Sequence, residues 1–146
     1  MRKALKRAAM VALVMACGTT QAADWNHEQN VQNGVKSFLA SYKGGGMVGV
    51  IKAVGNCYQA AQKLPKKSDE KLKKLEFCMS TDLAARHTDS VIAEQLGYPL
   101  NDYFVPATIS KRLNHLAEWF PDFKQRSQII SGLSDSAIKE LNQLNQ

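Results

Sequence analysis

The residues of this sequence that could do chemistry begin with two cysteines, Cys57 and Cys78, on either side of a proline-marked turn. Cys57 lies about two helical turns before Pro65, and Cys78 lies nearly three turns after Ser68. Two helices running antiparallel from such a turn bring the two sulfur atoms to similar heights, which predicts a Cys57–Cys78 disulfide. The alternatives are buried free thiols or a metal site, but no His or Cys stands at zinc-finger spacing from either residue.

A second candidate for acid–base or metal chemistry is the segment DLAARHTD, which contains Asp82, His87 and Asp89. Helical geometry argues against a joint site, because Asp82 and His87 are five residues apart and His87 and Asp89 are two apart. We expect Asp82 to form an ion pair with Arg86 instead, one turn further along the helix. His87 is predicted to be neither catalytic nor a metal ligand.

The remaining sequence offers no recognisable catalytic motif. There is no HExxH, GxSxG, phosphate-binding glycine loop or CxxC pair. His27 stands near the predicted mature N-terminus, where disorder is common. His115 lies among polar positions of an amphipathic helix, so it is expected to be an ordinary surface or boundary histidine. The sequence therefore predicts a protein with no catalytic residue, no metal and no cofactor, although a triad assembled in space leaves no pattern.

The loop YPLNDYFVP, at residues 98–106, is the predicted binding surface. Aromatic side chains are common anchors of protein interfaces, and a loop held between two prolines loses little entropy on binding. We predict that Tyr98, Asp102, Tyr103 and Phe104 contact a protein partner, with Tyr103 and Asp102 the most exposed. The alternative is that Tyr98 and Phe104 lie under the loop and join the helices.

Helices must position these residues, because apolar side chains recur at spacings of three and four along the chain and no stretch alternates convincingly. The pattern predicts an all-α bundle of about five to six helices with one disulfide-stapled hairpin. Gly44, Gly45 and Gly46 should break the first helix, and Gly49 and Gly55 should mark close helix–helix approach. The aromatic group around Pro121 is predicted to pack in the core; it consists of Trp119, Phe120 and Phe123.

The N-terminus resembles an export signal. A basic start precedes a short apolar run at residues 8–16, which is too short to span a membrane, and the sequence TQA ends at Ala22. We expect a cleaved signal peptide at residues 1–22 and a single helical domain at residues 23–146. The alternative is a lipid anchor on Cys17, with Met15 a poor fit to a lipoprotein box. A signal and an even cysteine pair favour the periplasm or secretion.

Charge excludes a nucleic-acid surface once the predicted signal is removed. The whole chain carries +6, from 19 basic and 13 acidic residues, but four of the basic ones fall within the first 22 residues. The remaining charge of +2 is too small to predict nucleic-acid binding. Lysines cluster at the hairpin turn, which indicates a solvated turn or, alternatively, attraction to anionic lipid or an acidic partner. No transmembrane segment is expected.

These features favour an exported, non-catalytic protein-interaction module of the inhibitor, immunity or assembly-accessory type, with a protein partner. A bundle that carries a small apolar ligand between its helices is the second hypothesis. A hydrolase that uses Asp82 or His87 is the third. Size and compartment do not choose among these classes, because a fold alone does not specify a function.

Overall fold

The computed structural model describes residues 25–145, and these residues are helical without any strand. The elements are α1 (His27–Gln62), α2 (Asp69–Leu96), α3 (Pro106–Leu113), a 3-10 helix (Asn114–Glu118) and α4 (Phe123–Leu144). The all-α prediction is confirmed, but the expected five to six helices are wrong, because the described residues form four α-helices. The predicted signal peptide at residues 1–22, Cys17 and the predicted N-terminus at Ala23 lie outside the described residues.

The number of helices was predicted too high because polar or glycine-containing stretches continue a helix in this structure. Near the C-terminus a single helix, α4, continues through Gly132, where a Cβ would meet no neighbouring atom. The first two predicted helices form one element, α1, in which Gly45 and Gly46 leave helical geometry. A glycine within a helix costs about 1 kcal/mol relative to alanine, which packing of the flanking turns offsets.

At Gly46 the chain of α1 reverses direction. Gly46 adopts φ 59° and ψ −157°, a backbone conformation that suits glycine because it has no Cβ. Across this reversal a Cβ on Gly49 would lie 2.9 Å from the carbonyl oxygen of Ser41, so the two arms approach closely, as predicted for Gly49. Element α1 is therefore two antiparallel arms, at residues 27–44 and 47–62.

Both arms pack along α2. In the first arm, Asn30 donates to the carbonyl oxygen of Lys73 at 2.9 Å, and a Cβ on Gly34 would lie 2.7 Å from the carbonyl oxygen of Phe77. From the first contact to the second, the residue number increases both in the arm and in α2, so this arm runs parallel to α2. The second arm leads through the turn at residues 63–68 into α2 and runs antiparallel to it.

The predicted disulfide joins the second arm to α2. The Cα atoms of Cys57 and Cys78 are 5.6 Å apart and their sulfur atoms are bonded. Ser68 is the N-cap of α2, since its side chain accepts a hydrogen bond from the Lys71 amide at 3.2 Å. The disulfide and the stapled hairpin are thus confirmed.

The core lies where both arms and α4 meet the middle of α2. An uninterrupted run of α2 is buried, from Cys78 to Ala85, because neighbours cover this helix on several sides. The largest fully buried side chains include Phe38, Leu75, Met79 and Phe104. Each such side chain stabilises the fold by about 1.5–3 kcal/mol relative to exposure. Gly55 was expected to allow close approach, and this is wrong, because a Cβ there would meet nothing within 4 Å.

Candidate functional site

The structure separates the four residues of the predicted binding loop. Tyr98 is 67% exposed and Asp102 is exposed, whereas Tyr103 is half-buried and Phe104 is completely buried. The expectation that Tyr103 is among the most exposed members is therefore wrong. The burial of Phe104 matches the alternative stated above, in which this ring joins the helices, and it removes Phe104 from the predicted contact surface, whereas Tyr98 does not lie under the loop. Phe104 contacts Tyr103 edge to face, with ring centroids 5.2 Å apart.

Backbone hydrogen bonds hold this loop in one shape. Gly97 ends α2 with φ 69°, a left-handed conformation that suits glycine, and turns the chain out of the helix. The Asn101 amide donates to Asp89 Oδ2 at 2.9 Å, and the Asn101 side chain accepts from the Tyr103 amide at 2.9 Å. The loop is therefore fastened both to the end of α2 and to itself.

Apolar side chains are exposed at this end of the bundle. Leu96 is 61% exposed beside Tyr98. Val48, at the reversal in α1, is 80% exposed, and the reversal lies at the same end because both arms run along α2. Tyr42 is also exposed near the reversal. We name this set, Tyr42, Val48, Leu96 and Tyr98, the apolar end.

Asp82 and Arg112 form a buried ion pair that sequence reasoning missed. Arg112 donates from Nε to Asp82 Oδ2 and from Nη2 to Asp82 Oδ1, both at 2.9 Å. Tyr58 donates its hydroxyl to Asp82 Oδ2 at 3.0 Å. The expected Asp82–Arg86 pair is wrong, because Asp82 is completely buried and faces α3. The guanidinium also lies over the Tyr103 ring, 3.7 Å from its centroid, which explains why Tyr103 is not free.

Protonation within this network follows from burial and the fixed charges. Burial, and then the charge of Asp82, raise the pKa of Tyr58 well above its usual value. Burial alone would lower the pKa of Arg112, but the hydrogen bonds and charge of Asp82 outweigh it and raise that pKa. Burial also raises the pKa of Tyr103, against the opposing charge of Arg112. Tyr58 and Arg112 thus stay protonated, and the network works as a fixed connection between helices.

The three histidines lie on different elements: His27 on the first arm of α1, His87 on α2 and His115 in the 3-10 helix. His27 Nδ1 is 2.5 Å from Glu76 Oε2, and His115 Nδ1 accepts a hydrogen bond from Gln62 Nε2 at 3.0 Å. His87 is half-buried on α2. Among residues 25–145, no group of three His, Cys, Asp or Glu side chains has the arrangement of a metal site.

The opposite end of the bundle contains the turn between α1 and α2, and the 3-10 helix packs on it. Glu118 accepts from the Lys71 side chain at 2.9 Å and from the Lys67 amide. The hydrogen bond and charge of Lys71 lower the pKa of Glu118. Lys71 is therefore buried and paired, while other lysines of this turn remain at the surface.

A sequence signal for the buried ion pair did exist. Arg112 stands three residues after Ile109 and four before Leu116, so it belongs to the apolar face of its helix. Asp82 likewise stands on the face of Leu75, Met79 and Leu83. A charged residue on each of two apolar faces indicates a buried pair, since an unpaired buried charge is very costly.

In the part of the chain that the structure describes, none of the helices has both the length and the apolar content of a membrane span. Comparison of the chain with protein-family models, with curated proteins and with solved structures found no significant match to any of them.

Proposed function

We propose that this protein is an exported, periplasmic and non-catalytic module that binds another protein, of the inhibitor, immunity or assembly-accessory type, through its apolar end. The observation that supports this most directly is the exposure of Leu96 and Tyr98, at 61% and 67%. Large apolar side chains grouped at one end of a small domain gain free energy when a partner covers them.

The loop beside these residues supports the same proposal. The hydrogen bonds of Asn101 and the buried Phe104 ring fix the loop before any partner binds. A surface ordered in advance loses less conformational entropy on association. Asp102 is exposed on this loop and would favour a partner with a basic surface.

The disulfide supports export, because such bonds form and persist in oxidising compartments such as the periplasm. The non-catalytic assignment is supported by Asp82, whose two carboxylate oxygens are both engaged by Arg112 and which has no exposed surface. A hydrolase that used Asp82 as acid or base would need that side chain accessible to substrate.

Site-specific photo-crosslinking in the native host tests the proposal. A benzophenone amino acid replaces Tyr98, and a matched control carries the same probe at Gln128, which is exposed on α4. We expect one discrete protein adduct from position 98, absent from position 128 and lost when Leu96→Asp is added. Equal or absent crosslinking at both positions would refute binding at this end. Native mass spectrometry of the purified protein separates the classes, since a retained small molecule would support the carrier instead.

A further inference from the structure

The end of the bundle opposite the apolar end carries the positive charge of the described chain. Residues 63–74 contain six lysines and two acidic residues. The rest of residues 25–145 contains nine lysines and arginines against ten acidic residues. The charge excess is therefore confined to a single turn and the two helix ends that flank it.

Most of these lysines are available to a ligand. Lys71 is neutralised by Glu118, but the other five are not buried, and four of them are exposed. We name these five the lysine tip: Lys63, Lys66, Lys67, Lys73 and Lys74. They surround the turn on both helices, so their charges act together on whatever approaches that end.

Apolar surface adjoins the lysine tip. An open depression of about 320 Å³ is lined by the apolar residues Leu64 and Phe77 together with Asn30, Glu70, Lys73 and Lys74. Trp119 lies under the Lys71 ammonium at 5.9 Å, and the chain enters α4 four residues later. Phe123, at the start of α4, is 75% exposed, so its predicted core position is wrong. Four residues span at most about 14 Å, so Phe123 belongs to the same end.

We propose that the lysine tip docks this protein on the surface of a lipid bilayer that contains anionic headgroups, with Phe123 entering the headgroup region. Clustered lysines are attracted to anionic lipid at roughly fivefold in affinity per residue. Exposed aromatic rings favour the membrane–water boundary. A lysine is a point charge on a flexible stem, which suits laterally mobile headgroups, whereas planar carboxylate recognition favours arginine, and the tip contains none.

Vesicle co-sedimentation tests the proposal with the protein as it is recovered from cells, its N-terminus determined by intact mass. The probes are vesicles of phosphatidylcholine alone and vesicles of phosphatidylcholine with phosphatidylglycerol. The tip variant replaces three exposed lysines, Lys66→Gln, Lys67→Gln and Lys73→Gln. The matched control has the same net charge and replaces exposed lysines elsewhere, Lys36→Gln, Lys43→Gln and Lys139→Gln. All variants have the same N-terminus, so a difference in vesicle binding between the tip and control variants is caused by the lysine tip.

We expect binding to the anionic vesicles and not to phosphatidylcholine alone, at least a tenfold loss in the tip variant, and less than a threefold loss in the control. Phe123→Ser should weaken binding several-fold without changing the thermal midpoint, because that ring is exposed. Added salt should release the protein.

Equal losses in the tip and control variants would overturn the proposal, because net charge alone would then explain binding. Absence of binding to anionic vesicles at low salt would overturn it as well. If a polyglutamate peptide binds in a tip-dependent manner while vesicles do not, the surface recognises an acidic protein, and the membrane assignment is wrong.

Discussion

Arg112 lies 30 residues after Asp82 in the sequence, and its Nε and Nη2 atoms donate to the two carboxylate oxygens of Asp82 at 2.9 Å each. Asp82 lies in the middle of α2, and Arg112 lies in the last turn of α3. This ion pair therefore fixes α3 against the central helix. The same guanidinium covers the Tyr103 ring, so the pair also sets the position of the loop that precedes α3.

Breaking this pair from one side should be strongly destabilising. Arg112→Met leaves Asp82 buried without a counter-charge, and we expect a loss of about 3–5 kcal/mol in the free energy of unfolding. Denaturant titration measures it. Arg86→Met is the matched control and should cost less than about 1 kcal/mol, as expected for a partly exposed arginine. The reverse order of the two losses would restore the Asp82–Arg86 pair that the sequence suggested.

The two tyrosines of the loop should divide between binding and stability. Tyr98→Ala should leave the thermal midpoint nearly unchanged and weaken the proposed partner complex by about 2 kcal/mol or more. Tyr103→Ala should lower the free energy of unfolding by about 1–2 kcal/mol, because half-buried ring area and the Arg112 contact are both lost. Thermal melts compare the stability of the two variants. Crosslinking yields from a benzophenone probe placed at Val48, an exposed position of the apolar end that neither variant changes, compare their partner binding. Sequence alone predicted the binding role for Tyr103, and unchanged stability in Tyr103→Ala would support that earlier assignment.

Removing the disulfide should cost about 3 kcal/mol of stability. Cys57 and Cys78 are 21 residues apart, and a loop of that size loses this much conformational freedom when closed in the unfolded chain. Peptide mapping without reductant should recover the linked pair, and denaturant titration of the protein with and without a thiol reductant should show the loss. Two free thiols in material from an oxidising compartment would contradict the bond.

Two glycines of α1 should respond to alanine with opposite signs. A Cβ on Gly34 would lie 2.7 Å from both the Phe77 carbonyl oxygen and the Ser80 Cβ, so Gly34→Ala forces the first arm away from α2 and should cost about 1–3 kcal/mol. Gly55 has open space around it, so Gly55→Ala should stabilise the helix by up to about 1 kcal/mol. Thermal unfolding of both variants gives the comparison. A loss of stability in Gly55→Ala would mean that the second arm has a neighbour at that position.

Acid should weaken the contact of the 3-10 helix with the turn. Burial and the charge of Lys71 lower the pKa of His115 from 6.5, with Glu118 opposing. Between these two pKa values His115 is protonated in the unfolded chain but neutral in the folded protein. Its contribution to the free energy of unfolding is therefore complete above about pH 6.5 and decreases as the pH falls toward the pKa of the folded state. Thermal midpoints measured through that window should fall, and the slope should be smaller in His115→Gln. An unchanged slope in the variant would assign the effect to another group.

The elements that local chemistry determines were predictable. Pro65 and Ser68 marked the turn in the sequence, and the distances from that turn predicted the disulfide. The predictions that were wrong concern features that depend on packing between elements. Whether Gly132 ends a helix is decided by its neighbours, and here the helix simply continues.

The candidate site was harder to predict for the same reason. Tyr98 and Phe104 are both aromatic residues of one loop, and only the position of α3 decides that Phe104 is enclosed while Tyr98 faces outward. Arg112 could have been recognised from its place on an apolar face, but its partner could not be chosen without the tertiary fold. Exposure at the apolar end depends equally on how far α2 extends beyond the reversal in α1.

Helix α2 also acts as a spacer. Its 28 residues give a rod of about 42 Å, with the lysine tip at its first turn and Leu96 at its last. If the lysines contact a lipid surface and α2 points away from it, Tyr98 lies about 42 Å from that surface, where a partner in solution can reach it.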